Sequence, residues 1–314
     1  MLNRVMMQAK TVAIGGHVRP DGDCVGSCMG LYQYIKKNFA QIQVDVYLED
    51  IPECFKAMFP ITKEIKHAID KDKTYDLFIA LDCGDAARLG FSGVLFEQAK
   101  STFCVDHHIS NRSFADENYI IPEASSTAEL VYRLLEKEKI DTNVAECLFM
   151  GIVHDTGVFQ YSSTSPETME IAADLMRKSI RANQIIDKTY YEKTYAQNRI
   201  LGRALLESTL TLDGKCIVSA ISKETMNFHG VIPKDLEGIV SQLRVTQGVE
   251  VAIFLYEIGQ DEYKISLRAS GDVDVSKVAE YFGGGGHKKA AGFTMNGQTK
   301  DIVERILGQI EIQL

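Results

Sequence analysis

Eight His and Asp residues, of the types that hold divalent cations and handle phosphate, fall in four short groups of this chain. These are His17, Asp21 and Asp23 in HVRPDGDCVGS, Asp82 in LDCGD, His107 and His108 in VDHH, and His154 and Asp155 in HDTG. Oxygen and imidazole donors without a thiolate suit hard or borderline ions, manganese or magnesium more than a zinc site built on Cys. There are more carboxylates than one ion needs, which points to two. Two ions about 3.5 to 4 Å apart lower the pKa of a shared water and clamp the oxygens of an in-line phosphoryl displacement.

Each residue also has a plainer reading. Asp23 could cap the helix that follows it, PDGD is ordinary turn chemistry, and an Asp that ends a strand, as Asp82 does, is usually a cap or turn residue. Those readings leave His17 and Asp21 with nothing to do. In the adjacent pair His107 and His108, one ring can bind metal while the other faces substrate. At 154 and 155 either residue could be the ligand. His67 and His229 sit in polar or loop-like surroundings and read as surface residues.

These groups need elements to position them. TVAIGG, QVDVYLE, YDLFIALDCGD and STFCVDHH read as short, mostly apolar strands ending in polar residues, and CVGSCMGLYQYIKKN reads as a helix with apolar residues at three- and four-residue spacing. Alternation of this kind predicts an α/β fold, a parallel sheet with helices on both faces. In such a sheet the carboxyl ends of the strands open into one crevice, where most of these acids and imidazoles would meet. On this reading Gly22 lets Asp21 and Asp23 reach different ions.

From Ser126 to about Leu210 helical patterns dominate, in STAELVYRLLEKEK, VAECLFMGIVHD and PETMEIAADLMRKS. Strands then return in CIVSAIS, VEVAIFLYEI and EYKISLRAS, with a helix expected around DLEGIVSQLR. At 314 residues the chain has room for two cores. The expected division is a first domain over 1–185, a helical linker over 186–212 and a second domain over 213–314.

A net charge of -9 argues against a broad basic face for long duplex DNA, although bound metals can reverse the field inside one cleft. Seven Cys without a CxxC pair read as reduced thiols, with Cys24 and Cys28 as small core residues. No signal-peptide core and no membrane-length apolar run is visible, so the expectation is a soluble cytoplasmic protein with no membrane partner.

Taken in order, HVRPDGDCVGS, LDCGD, DHH at 106–108 and HDTG resemble the DHH phosphoesterase superfamily, and FGGGGHKKAAGF at 282–293 resembles the signature of the DHHA1 domain. The match spans nearly the whole chain and is most similar to bacterial nanoRNases that also act as 3'-phosphoadenosine 5'-phosphate (pAp) phosphatases. The resemblance implies a parallel-sheet DHH domain, a smaller α/β DHHA1 domain and an active site in the cleft between them. It implies one metal on His17, Asp21 and Asp82, a second on Asp23, Asp82, His107 and Asp155, and His108 approaching the scissile phosphate. His154 is then not a ligand. The expected activity is hydrolysis of very short RNA to 5'-mononucleotides and of pAp to AMP, with pApA or c-di-AMP as alternative substrates and a non-catalytic nucleotide sensor as the reading from another class. The reading leaves room for a homodimer.

The glycine run has a physical reading of its own. Without Cβ atoms the amides of Gly284 and Gly285 can approach an anion, and His287, Lys288 and Lys289 supply donors and charge. A Walker A loop is excluded, because its Lys followed by Ser or Thr is missing. The plainer reading, a helix C-cap after VAEYF, explains one glycine and not four. Arg268 in SLRAS carries a planar fork suited to phosphate, and Arg244 is a weaker candidate of the same kind. The resemblance likewise points to Arg268, His287 and the glycines as the substrate-binding wall.

Overall fold

The computed structural model describes residues 2–70 and 73–314. The chain divides into two compact units, the first ending at Glu192 and the second running over Lys193–Leu314. The break falls within the stretch read as a helical linker. There the helix Tyr195–Leu206 buries Ile200 and Ala204 in a core of the second unit.

The first unit is built on β1 (Thr11–Gly15), β2 (Gln43–Tyr47), β3 (Ile65–Lys66), β4 (Leu77–Leu81), β5 (Ser101–Asp106) and β6 (Glu117–Ile120). All are parallel, in the order β3-β2-β1-β4-β5-β6. The chain therefore winds outward one way from β1 and the other way from β4, and these neighbours pair with Gly15 opposite Ala80. Beyond their carboxyl ends lies the switch point at which α/β sheets bind ligands. The short strands β3 and β6 carry too few apolar residues to stand out in the sequence.

Period-two alternation divides the first core. Val12, Ile14, Leu77, Ile79 and Leu81 point to one face, against Met29 and Ile35 of the helix Gly22–Asn38 and Leu148 and Ile152 of the helix Thr142–Asp155. Ala13, Phe78, Ala80 and Cys104 point to the other, against Leu89, Leu95 and Phe96. Truncating a fully buried Leu148 to Ala would cost about 2 to 5 kcal/mol. The two long helices meet through small residues: a Cβ on Gly26 would lie 2.5 Å from the Cys147 carbonyl oxygen, and one on Gly151 would lie 2.8 Å from Asp23 Oδ1. That close approach sets Asp23 beside the helix that ends in Asp155.

The second unit holds β7 (Thr209–Thr211), β8 (Cys216–Ile221), β9 (Val251–Gly259), β10 (Glu262–Ala269), β11 (Gly285–His287) and β12 (Ala290–Asn296) in the order β11-β12-β10-β9-β8-β7. Only β8 and β9 run parallel. The continuous helix expected around DLEGIVSQLR is instead a short turn of 3-10 helix, Pro233–Leu236, and a helix Ile239–Arg244. Gly238 between them takes φ +87°, a left-handed conformation that breaks the helix.

Candidate metal centre

Asp82 is the hub. It follows β4 at φ +59°, a strained position that Asp tolerates better than most residues, and its N–H still donates to Val105 O at 3.1 Å. The side chain is 2% exposed and its two oxygens face different ways. Oδ2 lies 3.4 Å from His17 Nε2, and Oδ1 lies 3.7 Å from both His107 Nε2 and His108 Nδ1.

On the first side, His17 Nε2 also lies 3.6 Å from Asp21 Oδ2. The His17 Nδ1–H donates to Val18 O at 2.8 Å, so Nε2 is the nitrogen left to face the carboxylates. Burial opposes a charge on His17, yet hydrogen bonds to Asp21 and Asp82 outweigh it and push the imidazole up to about 12. A ring held this way takes either a proton or a cation at Nε2, and a divalent ion binds by displacing that proton.

On the second side, His107 Nε2 meets Asp155 Oδ2 at 3.0 Å while Nδ1 donates to Ala124 O at 3.3 Å. Ligand atoms of Asp23, His107 and Asp155 lie within 4.8 Å of one another. Burial again disfavours charge on His107, but the Asp155 hydrogen bond and the charge of Asp23 push it up to about 10. Asp23 is fully buried, and burial with the nearby charges of Asp82 and Asp155 pushes its carboxyl well above the usual range. Buried carboxylates that repel one another in this way could hold a cation between them. The set of two imidazoles and four carboxylates fits hard or borderline divalent ions.

The plainer reading of Asp23 as cap of its own helix is not what the chain does. Asp21 is that cap, with Oδ1 accepting from the N–H groups of Asp23 and Cys24 at 3.1 Å each. Asp23 instead caps another helix, Thr127–Leu134, accepting from Thr127 N at 2.6 Å and Ala128 N at 2.9 Å. Gly22 is required for a different reason from the one expected: a Cβ there would lie 2.1 Å from the His154 ring.

His154 points away from the cluster. Its ring packs edge-on between Phe55 and Tyr190, and Nε2–H donates to Thr189 Oγ1 at 3.0 Å. Burial pushes it down to about 4, so it is neutral near pH 7. Of the two residues left open at this position, Asp155 is the one that faces the cluster.

Three further residues act on the site, and residue-by-residue reading passed over all of them. Asp106, 0% exposed, accepts from His108 Nδ1 at 2.7 Å and from Asn111 Nδ2 at 2.7 Å. Chiefly through the Asp106 hydrogen bond, the His108 imidazole is raised above its ordinary value, and its Nε2 is left unengaged by Asp106. The buried Thr127 donates its hydroxyl to Asp82 Oδ1 at 3.0 Å, so one residue touches both Asp23 and Asp82. The visible signals were the first letter of DHH and a Thr that opens a helix.

Two of the second-unit candidates, Arg268 and His287, stand in one row across three strands of the sheet. Arg268 of β10 pairs with Ala290 of β12, which pairs with His287 of β11. Arg268 Nη1 donates to Leu267 O at 3.0 Å, while His287, Lys288 and Lys289 are exposed. Arg244 is the last residue of its helix. Most of the glycine run has structural work. Gly283 at φ +78° ends the preceding helix, a Cβ on Gly284 would lie 2.4 Å from Gly292 O, and Gly286 takes φ +150°. Gly283 and Gly285 both have open space around the missing Cβ, and of these two Gly285 has no positive φ. The second half of the run, Gly285 and Gly286, thus opens the edge strand β11.

All seven cysteines are free. Among the described residues no helix is long and apolar enough to cross a membrane.

The N-terminal domain of the DHH family matches residues 11–152, and the DHHA1 domain matches residues 213–311. A relative from Thermus thermophilus, named bifunctional oligoribonuclease and PAP phosphatase NrnA, is 27% identical over 96% of this chain and 90% of its own. One of the same name from Bacillus subtilis is 25% identical over 99% of this chain and 96% of its own. The crystal structure of an exopolyphosphatase-related protein from Bacteroides fragilis superposes with a TM-score of 0.90 at 28% identity, covering 99% of this chain and 94% of that one.

Proposed function

We propose that this chain, which belongs to the DHH family and carries a DHHA1 domain, is a metal-dependent phosphoesterase that cuts very short oligoribonucleotides to 5'-mononucleotides and converts pAp to AMP. The observation that carries the reading is that the two oxygens of Asp82 face His17 on one side and His107 on the other, with Asp21 beside His17 and with Asp23 and Asp155 beside His107. Relatives bearing the oligoribonuclease and PAP phosphatase name over nearly the full chain support the substrate class.

In this reading His17, Asp21 and Asp82 hold one ion, and Asp23, Asp82, His107 and Asp155 hold the other, with manganese favoured and magnesium accepted. Bound there, the ions acidify a water and offset charge on the phosphoryl oxygens. The protein supplies the rest. Asp106 fixes the His108 ring through Nδ1, so that Nε2 donates to a non-bridging oxygen as negative charge builds. The bond from the 3'-oxygen to phosphorus breaks, the water oxygen takes its place on phosphorus, and the leaving 3'-oxygen is protonated.

Arg268 and His287, with Lys288 and the amides of Gly284 and Gly285, hold the 5'-phosphate. In pAp the 5'-phosphate lies one nucleoside from the 3'-phosphate, and in pApA it lies the same distance from the internal phosphodiester. One geometry therefore serves both, and RNA shortens from its 5' end. Assaying pAp, pApA, c-di-AMP, pyrophosphate and a long RNA side by side with manganese tests the reading. Turnover of pAp and pApA well above the others is expected. Preference for pyrophosphate or long RNA would overturn it, and tight binding without turnover would make the chain a nucleotide sensor.

A further inference from the structure

Cys24 lies where a metal ligand could stand. It occupies the first turn of the helix Gly22–Asn38, is 0% exposed, and donates its N–H to Asp21 Oδ1 at 3.1 Å. Its Sγ, a ring nitrogen of His17 and an oxygen of Asp82 all lie within 4.8 Å of one another. The sulfur is also closely packed: a Cβ on Gly16, the residue before His17, would lie 2.3 Å from it. His17 and Asp82 are themselves 4% and 2% exposed, so the trio is a buried nitrogen, sulfur and oxygen set.

Those three donors have a chemistry that the carboxylate set around them lacks. Bond lengths of about 2.0 to 2.3 Å around a tetrahedral ion place its ligand atoms roughly 3 to 4 Å apart. The 3.4 Å between His17 Nε2 and Asp82 Oδ2 already meets that spacing. A thiolate selects thiophilic ions, whereas manganese and magnesium prefer oxygen. With a hard ion a buried thiol keeps its proton and stays a core residue.

We infer that His17, Cys24 and Asp82 form a second, thiophilic binding mode of the same buried pocket, which takes cobalt, zinc or cadmium through a Cys24 thiolate. On binding, the metal–sulfur bond forms, the Cys24 S–H bond breaks and its proton passes to solvent, with no change of oxidation state. Because this mode uses His17 and Asp82, such an ion excludes the manganese expected there. The inference rests on the reading of those two residues as ligands.

The test is a cobalt titration of the chelator-treated full chain, followed by absorption spectroscopy. Visible ligand-field bands report that cobalt is bound, and a near-ultraviolet sulfur-to-cobalt charge-transfer band reports a thiolate ligand. Both are expected in wild type and in Cys28→Ala, whereas Cys24→Ser and Cys24→Ala should lose the charge-transfer band and keep the ligand-field bands. Ligand-field bands without charge transfer in wild type would overturn the role of Cys24 and leave the metal reading standing. So would a charge-transfer band that persists in both Cys24 variants. No ligand-field bands at all would overturn the metal reading and this inference with it. Should both variants fail to fold, X-ray absorption at the cobalt edge of wild type decides, since a sulfur neighbour is required.

Discussion

Arg268 and His287 stand in a single row across three strands, each paired with Ala290 between them. Directly opposed residues share a face of the sheet, and two strand spacings put them roughly 10 Å apart. Ala290 between them carries only a methyl group and adds little bulk to that row.

If that row reads the 5'-phosphate, removing the phosphate from the substrate should cost wild type far more than it costs Arg268→Ala, because a lost partner leaves nothing further to lose. kcat/KM for pApA and ApA, measured with both proteins, checks this. An equal pApA to ApA ratio in the two would remove the support for 5'-end recognition.

Asp82→Ala should abolish hydrolysis and lower metal content with the fold largely kept, since both sides of the centre lean on this side chain. Thr127→Val is the finer probe. It deletes the hydroxyl held by Asp82 Oδ1 and keeps the backbone N–H held by Asp23, so metal affinity should fall about 10- to 100-fold without unfolding. Calorimetric titration with manganese reads the change, and full activity of Asp82→Ala, or of wild type in excess chelator, would defeat the two-metal account.

His108→Ala should lower kcat by about 10² to 10³ with metal binding retained. Asp106→Asn should reproduce much of that loss, because the Asp106 carboxylate both orients the ring and favours its charge. The double variant should then fall well short of the product of the two losses. Loss of one metal in His108→Ala would show that His107 and His108 have exchanged roles.

Away from the site, Glu146 gives a stability test. It is 4% exposed and accepts from Arg181 Nε at 2.8 Å, Arg181 Nη2 at 2.5 Å and Arg181 N at 2.9 Å. Burial alone would raise its carboxyl, but the Arg181 hydrogen bonds outweigh it and lower it. The folded pKa is the depressed one, so this contribution is complete above the ordinary Glu value, about 4.3, and is lost as pH falls through the folded value. Glu146→Gln should cost about 1 to 3 kcal/mol at pH 7 and flatten the acid limb of a denaturation series. An unchanged acid limb would mean that the pair does not couple folding to pH.

What the sequence determined by itself is what short-range patterns encode. Apolar runs marked the four main strands of the first sheet, three- and four-residue spacing marked the long helices, and the polar residues at their ends placed His17, Asp82 and His107 at one crevice. That was legible because strand and helix periods, and the parallel winding that follows from their alternation, need only neighbouring residues. Tertiary structure decided which groups meet. Asp23 is held by amides 104 and 105 residues away, while Asp21 took the local cap expected of Asp23. Asp155 faced the cluster because the Phe55, Tyr190 and Thr189 pocket claimed His154. Gly285 and Gly286 became part of an edge strand because β12 offered them partners, and Arg268 came level with His287 only through that register. Spacing along a chain limits where a side chain can begin. The packing of helices against a sheet sets where it ends, and that depends on residues more than a hundred positions away.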